Sequence, residues 1–246
     1  MKILPLLLIP TFVFANGLDD KCGQFVYKSA PVVNAEQYIC HKQYGIAYSY
    51  QHKNPAYTVE YLTADHTGKV ARTNDFRVDP QIPPKFQTTP KDYAHTTTEC
   101  GGGRCDRGHM TPDQDFSADA TATSESFFMS NMVPQNFKNN EVIWKNMEMH
   151  IRAYVAKGHP VYVITGPAYN SLHPKFIGNH VDIPDKLWKV VVDEASGAVM
   201  AFMMDNVALD THSLMMHQVA VKDIETATGI KFGAVDTQTV KTFKDW

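Results

Sequence analysis

Between Asp75 and Thr98 the chain places four prolines, Pro80, Pro83, Pro84 and Pro90, among threonines and charged residues. A proline ring fixes φ and removes a backbone donor, so neither a regular helix nor a central strand can pass through this stretch. Phe76, Phe86 and Tyr93 punctuate it, which marks an ordered connection wrapped over the surface and not a linker between domains. The regular elements must form before and after it. Upstream, Ile46–Tyr50 alternates, Lys53-Asn54-Pro55 signals a turn, and Tyr57–Leu62 reads as the partner strand. Downstream, Ser126–Ser130 reads as a short strand and Asn139–Lys157 as a helix closed by Gly158. Val161–Thr165 reads as a buried strand ending at Gly166-Pro167. Leu187–Val192, the turn Ser196-Gly197 and Val199–Met204 form a hairpin, and a last helix runs over Val221–Thr228 to Gly229. Strands outnumber helices, and no repeat or heptad interrupts them. The class is α+β, with a mixed, mostly antiparallel sheet at its core.

At 246 residues, 43% of them hydrophobic, the chain is long enough for a real core. Its formal net charge of −3 excludes holding nucleic acid by bulk charge. Any such partner needs a local cationic patch or a bound metal. Residues 1–15 read as a secretory signal peptide: Lys2 leads an apolar run from Ile3 to Phe14, and Ala15 stands at the cut. This leaves residues 16–246 as a single domain and predicts an exported protein, periplasmic or extracellular. No later segment is apolar for long enough to predict a membrane span.

Export makes the four cysteines, Cys22, Cys40, Cys100 and Cys105, readable as disulfides. The simplest pairing is local, Cys22–Cys40 and Cys100–Cys105. A zinc site built on Cys100, Cys105 and His109 is the alternative, although no fourth ligand is evident.

The residues with chemistry cluster next. Asp106-Arg107-Gly108-His109 puts a phosphate-binding fork and a base that titrates near neutrality within three residues. Further on come Ser130-Asn131 with Pro134-Gln135, then Asn140, Trp144 and Glu148 at helical spacing. On a regular α-helix the last three drift by about 80° over two turns. Read singly, Asn139 or Asn140 is a helix cap, Trp144 is core and Glu148 is a solvated glutamate.

Together these motifs resemble the DNA/RNA non-specific endonucleases, and the likeness extends to Arg72-Thr73-Asn74-Asp75-Phe76 upstream and Leu187-Trp188-Lys189-Val190 downstream. The resemblance implies a ββα-metal site. It assigns His109 as general base, Asn140 as the direct ligand of a divalent ion, and Glu148 as holding that ion's water. Arg107 and Arg72 are assigned to phosphate, with Arg77 competing for the upstream role, and Asn131 to support by hydrogen bonding. Asp106 is left between orienting the box and a structural part. The implied cofactor is Mg²⁺, with Mn²⁺ able to substitute, and the implied substrates are both DNA and RNA, cut to 5′-phosphate ends. The alternatives are an exported nucleic-acid-binding protein without turnover and a zinc phosphoesterase. His150, His159, His173, His180, His212 and His217 read as ordinary residues. No inhibitor protein or oligomeric state is indicated.

Overall fold

Strands apolar on both faces demand cover on both sides of a sheet. The computed structural model describes residues 17–246, and the leader expected over residues 1–15 lies outside them. In chain order the strands are β1 (Gln37–Cys40), β2 (Tyr44–Ser49), β3 (Asn54–Leu62), β4 (Cys105–His109), β5 (Met132–Asn136), β6 (Val161–Ala168), β7 (Phe176–Ile177), β8 (Val181–Asp182), β9 (Lys186–Asp193), β10 (Val199–Asp205) and β11 (Gln218–Val219). The α-helices are α1 (Gly17–Cys22), α2 (Ala120–Glu125), α3 (Lys145–Ala156) and α4 (Val221–Thr228). Seven strands make one sheet in the order β1-β2-β3-β6-β9-β10-β11. Every neighbouring pair in it is antiparallel, so the α+β class holds.

The alternation of side chains along β9 sorts the core into two layers. Trp188, Val190 and Val192 pack with Tyr57, Val59 and Ile164 against Leu18 and Cys22 of α1 and Val221 and Ile224 of α4. Leu187 and Val191 pack with Val163, Met200 and Phe202 against Trp144, Met147 and Ile151. The same alternation turns Lys189 toward the second layer, where it is only 1% exposed. The proline-rich connection runs outside the sheet through short 3-10 turns at Pro84–Phe86 and Pro90–Tyr93. Its Ile82 seals a smaller cluster with Ile39, Tyr44, Ile46, Tyr48 and Phe116.

A two-stranded ribbon, β4 paired antiparallel with β5, stands apart from the large sheet and feeds the helix that crosses it. Here the local expectations need correction. Ser126–Ser130 is not a strand. Asp119 caps α2 by accepting from the Ala122 amide, and Asn131 Nδ2 takes the Ser126 carbonyl, so the chain turns and the strand begins at Met132. Pro134 is tolerated inside β5 because its outer edge meets a side chain: Asn206 accepts from the Asn136 amide and donates to the Pro134 carbonyl. β6 also continues through Gly166-Pro167 to Ala168, three residues past its partnership with β3.

Both disulfides follow the local pairing, Cys22–Cys40 and Cys100–Cys105. The zinc alternative loses its ligands to the second of them. Among the described residues there is neither a free cysteine nor a cluster of three or more His, Cys, Asp or Glu side chains arranged for a metal.

Candidate active site

The ribbon places Arg107 opposite Pro134 and His109 opposite Met132. Gly108 between them is required by close approach: a Cβ there would lie 2.6 Å from the Gln135 Cβ, and closer still to its Oε1. Gln135 in turn donates to Asn139 Oδ1 at 2.8 Å, which ties the ribbon to the start of the helix.

That helix does not start as a regular α-helix. Asn139–Trp144 is a π-helical turn running directly into α3. Its broader turn voids the regular α-helical drift expected for Asn140, Trp144 and Glu148. The expected cap is also reassigned. The side chain of Asn136 accepts from the Lys138 and Asn139 amides at 3.0 and 3.2 Å, so neither Asn139 nor Asn140 serves as the cap. Asn140 is thereby free to face outward.

One cleft of about 760 Å³ is lined by Arg72, Arg107, His109, Asn140 and Glu148, with Asp113 and Arg152 beside them. Asn140 Nδ2 donates to Asp106 Oδ2 at 3.0 Å. This bond pins the amide and leaves its Oδ1 as an oxygen donor, so Asp106 orients Asn140. Asp106 is itself held by Arg104 Nε at 3.2 Å. Arg107 lies with its guanidinium 4.0 Å from the centre of the Phe76 ring, and no carboxylate among the described residues pairs with it. Arg72 reaches the same cleft, held by Asp113 and by Asn74 Oδ1 at 2.8 Å. Arg77 does not: it bonds Asp75 and the Ser124 carbonyl and covers Phe128. Of the two upstream arginines, only Arg72 is placed beside His109.

His109 is 8% exposed and packed against Phe76 and Phe127. Its Nε2 is buried with no hydrogen-bond partner. Burial, then the charges of Arg72 and Arg107, push the imidazole down to about 3. It is neutral at pH 7. Because the folded value lies below the unfolded one of about 6.5, acid protonates the unfolded chain first. This group's contribution to stability is complete above about pH 6.5 and is lost as pH falls toward about 3. Wild-type protein is therefore expected to lose more thermal stability between about pH 7 and pH 5 than His109→Ala does. Parallel melting profiles would refute this.

Glu148 is half-buried at the cleft floor, and desolvation is the main force pushing its carboxyl up to about 7, opposed by Lys189 and Arg152. Asn131 lies behind the cleft and does not line it. It is fully buried, accepts from the Thr111 amide at 3.0 Å and donates to the Thr111 and Ser126 carbonyls, clamping the chain that leaves His109. Trp144 is core, 1% exposed. None of His150, His159, His173, His180, His212 or His217 lines the cleft.

The chain departs from its sequence reading most in the charges under the site. Lys189 donates to Thr165 Oγ1 at 2.6 Å and to the Met110 carbonyl at 3.3 Å, one residue beyond His109. Glu60, 1% exposed, shares that layer with neither carboxylate oxygen hydrogen-bonded. Arg152 pairs with buried Asp115 at 2.7 Å. The signal for these residues was present: a single charge inside an apolar strand, Glu60 between Val59 and Tyr61, Lys189 between Trp188 and Val190.

The profile of the DNA/RNA non-specific endonucleases matches residues 22–237. The chain belongs to that family. The mitochondrial nuclease EXOG of Xenopus laevis is 32% identical over 216 residues, covering 80% of this chain and 58% of its own length. The chain thus spans little more than half of that relative. The mitochondrial nuclease 1 of Schizosaccharomyces pombe is 29% identical over 237 residues, covering 87% of this chain and 70% of its own. The crystal structure of the EndoG/EndoGI complex, solved for the mechanism of EndoG inhibition, superposes with a TM-score of 0.78 at 26% identity. It covers 89% of this chain and 94% of the matched one. In family terms β4, β5 and the crossing helix are the ββα unit. The relatives overturn the expectation of an exported, periplasmic or extracellular protein, because EXOG and nuclease 1 are mitochondrial nucleases and point to that setting instead.

Proposed function

We propose that residues 16–246 act as one catalytic domain, an endonuclease that hydrolyses phosphodiester bonds of DNA and RNA and leaves 5′-phosphate ends. The observation carrying this reading is a neutral His109, its buried Nε2 without a protein partner, lining a cleft that also holds two arginines and the pinned Asn140. His109 takes the proton of the attacking water, since the ring is neutral at pH 7 and its Nε2 has no protein partner. Arg107, stacked and unpaired with any carboxylate among the described residues, offers its fork to the phosphate, and Arg72 offsets the negative charge that builds up on the phosphoryl oxygens. Contacts to phosphate carry no base information, so sequence is not discriminated.

The donor set fits a hard divalent ion. Asn140 Oδ1 and the Glu148 carboxylate are both oxygens, and so small a donor set suits an ion that keeps most of its waters, as Mg²⁺ does. Asn140 would hold it directly and Glu148 through water. When bound, the ion polarises a phosphoryl oxygen and stabilises the leaving oxygen; Mn²⁺ meets the same demands.

Plasmid DNA and a structured RNA, each incubated with Mg²⁺ and with EDTA, test the proposal. Both are expected to be degraded only with the metal, and the ends to accept radiolabel from a kinase only after phosphatase treatment. Intact nucleic acid in Mg²⁺ would favour a binding protein of the same fold without turnover, and direct labelling would overturn the 5′-phosphate assignment.

A further inference from the structure

The cleft that holds His109 is one half of a longer depression. On the far side of Arg107 and Asn140 a second opening of about 670 Å³ is walled by Phe76, Tyr93, His95, Arg104 and Asp106. The two share Arg72, Arg107, Asn140 and Glu141, so a strand whose phosphate rests on Arg107 extends naturally into both. We propose that the second opening is a nucleotide subsite. It holds the nucleotide adjoining the cleaved phosphodiester, in a DNA or an RNA strand, and rests on the nuclease reading above.

Three features support this. The first is charge. In a chain that is acidic overall, this opening carries three arginines, Arg72, Arg104 and Arg107, against Asp106 and Glu141. Arg104 spends Nε on Asp106 and Nη2 on Glu141 at 2.7 Å, and a guanidinium has five N–H donors, so several remain for a second phosphate. The second is an unmet hydrogen bond. Tyr93, on the wall, is 7% exposed, and its hydroxyl is buried with no partner. Because that oxygen is closed to solvent, a sugar or base edge supplies a partner only if the ring turns toward the opening, and an apolar ligand would gain nothing from that turn.

The third is preorganisation. The outer wall is a loop closed by the Cys100–Cys105 disulfide. Within it the Cys100 amide donates to the Gly103 carbonyl, the Gly102 amide to Thr98, and the Cys105 amide to Thr96 Oγ1, all at 3.0 to 3.1 Å. Asn136 Nδ2 anchors the Cys100 carbonyl to the ribbon at 2.6 Å. His95, exposed and in the left-handed region at φ 64°, presents its ring at the mouth. A wall fixed in advance binds a nucleotide with little ordering cost.

The test compares an oligonucleotide, as DNA and as RNA, with bis(p-nitrophenyl) phosphate, a diester too small to fill both openings. In the His95→Ala/Arg104→Ala protein the ratio of kcat/KM for the oligonucleotide to that for the small diester is expected to fall about tenfold, the loss of one or two phosphate or stacking contacts. Lys85→Ala, exposed outside both openings, controls for loss of surface charge and is expected to keep the wild-type ratio. A second measurement uses fluorescence anisotropy of a labelled single strand on the His109→Ala protein in EDTA, where the same double substitution is expected to weaken Kd by a similar factor. An unchanged ratio or an unchanged Kd overturns the subsite. Wild-type protein that binds the strand with this dependence yet cleaves neither substrate overturns the nuclease reading and leaves the subsite standing.

Discussion

His109→Ala is expected to cut the initial rate of plasmid cleavage in Mg²⁺ by about 10²–10⁴-fold, the range for losing a positioned general base. The reason lies in how the ring is held. Phe76 and Phe127 flank it, and Nε2 is buried with no protein partner. No other imidazole lines the cleft. The Glu148 carboxyl, itself pushed up by burial, lines the cleft with Arg152. Because the truncated side chain lies at the end of β4 and outside the large sheet, circular dichroism is expected to match wild type. A folded His109→Ala protein within about threefold of wild-type rate would remove His109 from the chemistry, since general acid–base catalysis contributes far more than that.

Lys189→Met is expected to destabilise the fold by about 3–5 kcal/mol, measured by urea unfolding, the cost of removing one partner from a buried charge cluster. Lys189 is fully enclosed, with its ammonium against Thr165 Oγ1, the Met110 carbonyl and the Trp144 ring. Burial pulls its pKa down, and Glu60, Glu148 and Asp115 oppose that pull. Burial likewise raises Glu60 well above the usual carboxylate range, with Lys189 opposing it. Without the ammonium, Glu60 faces a layer that offers it no hydrogen bond, and two oxygens lose their donor. Adding Glu60→Gln to Lys189→Met is expected to restore part of the loss, because the two sites are not independent. A loss below about 1 kcal/mol for Lys189→Met, or strict additivity in the double variant, would show that the cluster does not act as a unit.

The parts of the molecule legible in advance are those whose cause is local. The Leu187–Met204 hairpin follows from two apolar runs around Ser196-Gly197, and α4 ends at Gly229 because glycine takes the left-handed conformation there, at φ 74°. The local disulfide pairing needed only proximity in sequence. The site failed to be legible wherever a distant group decides the local outcome. Asn206, seventy positions from Asn136 in sequence, makes Pro134 acceptable in a strand. Asn136, and not the residue at the helix start, does the capping, and the first helical residues widen into a π turn. Ser126–Ser130 has strand composition, yet Asn131 folds it into a turn.

By itself the sequence determined the chemical inventory: a base and a phosphate fork two residues apart, an amide and a carboxylate on one helix, and apolar runs sufficient for a sheet covered on both faces. These follow from residue type and spacing, which are local quantities. Only the tertiary structure put Arg72 and not Arg77 at the cleft, capped the helix with Asn136 in place of Asn139 or Asn140, and bonded Asp106 to the Asn140 amide. It alone gathered Glu60, Asp115, Glu148, Arg152 and Lys189 beneath the site. Those outcomes depend on which groups meet across long stretches of chain and on how far water is excluded from them, and neither is a property of any short segment.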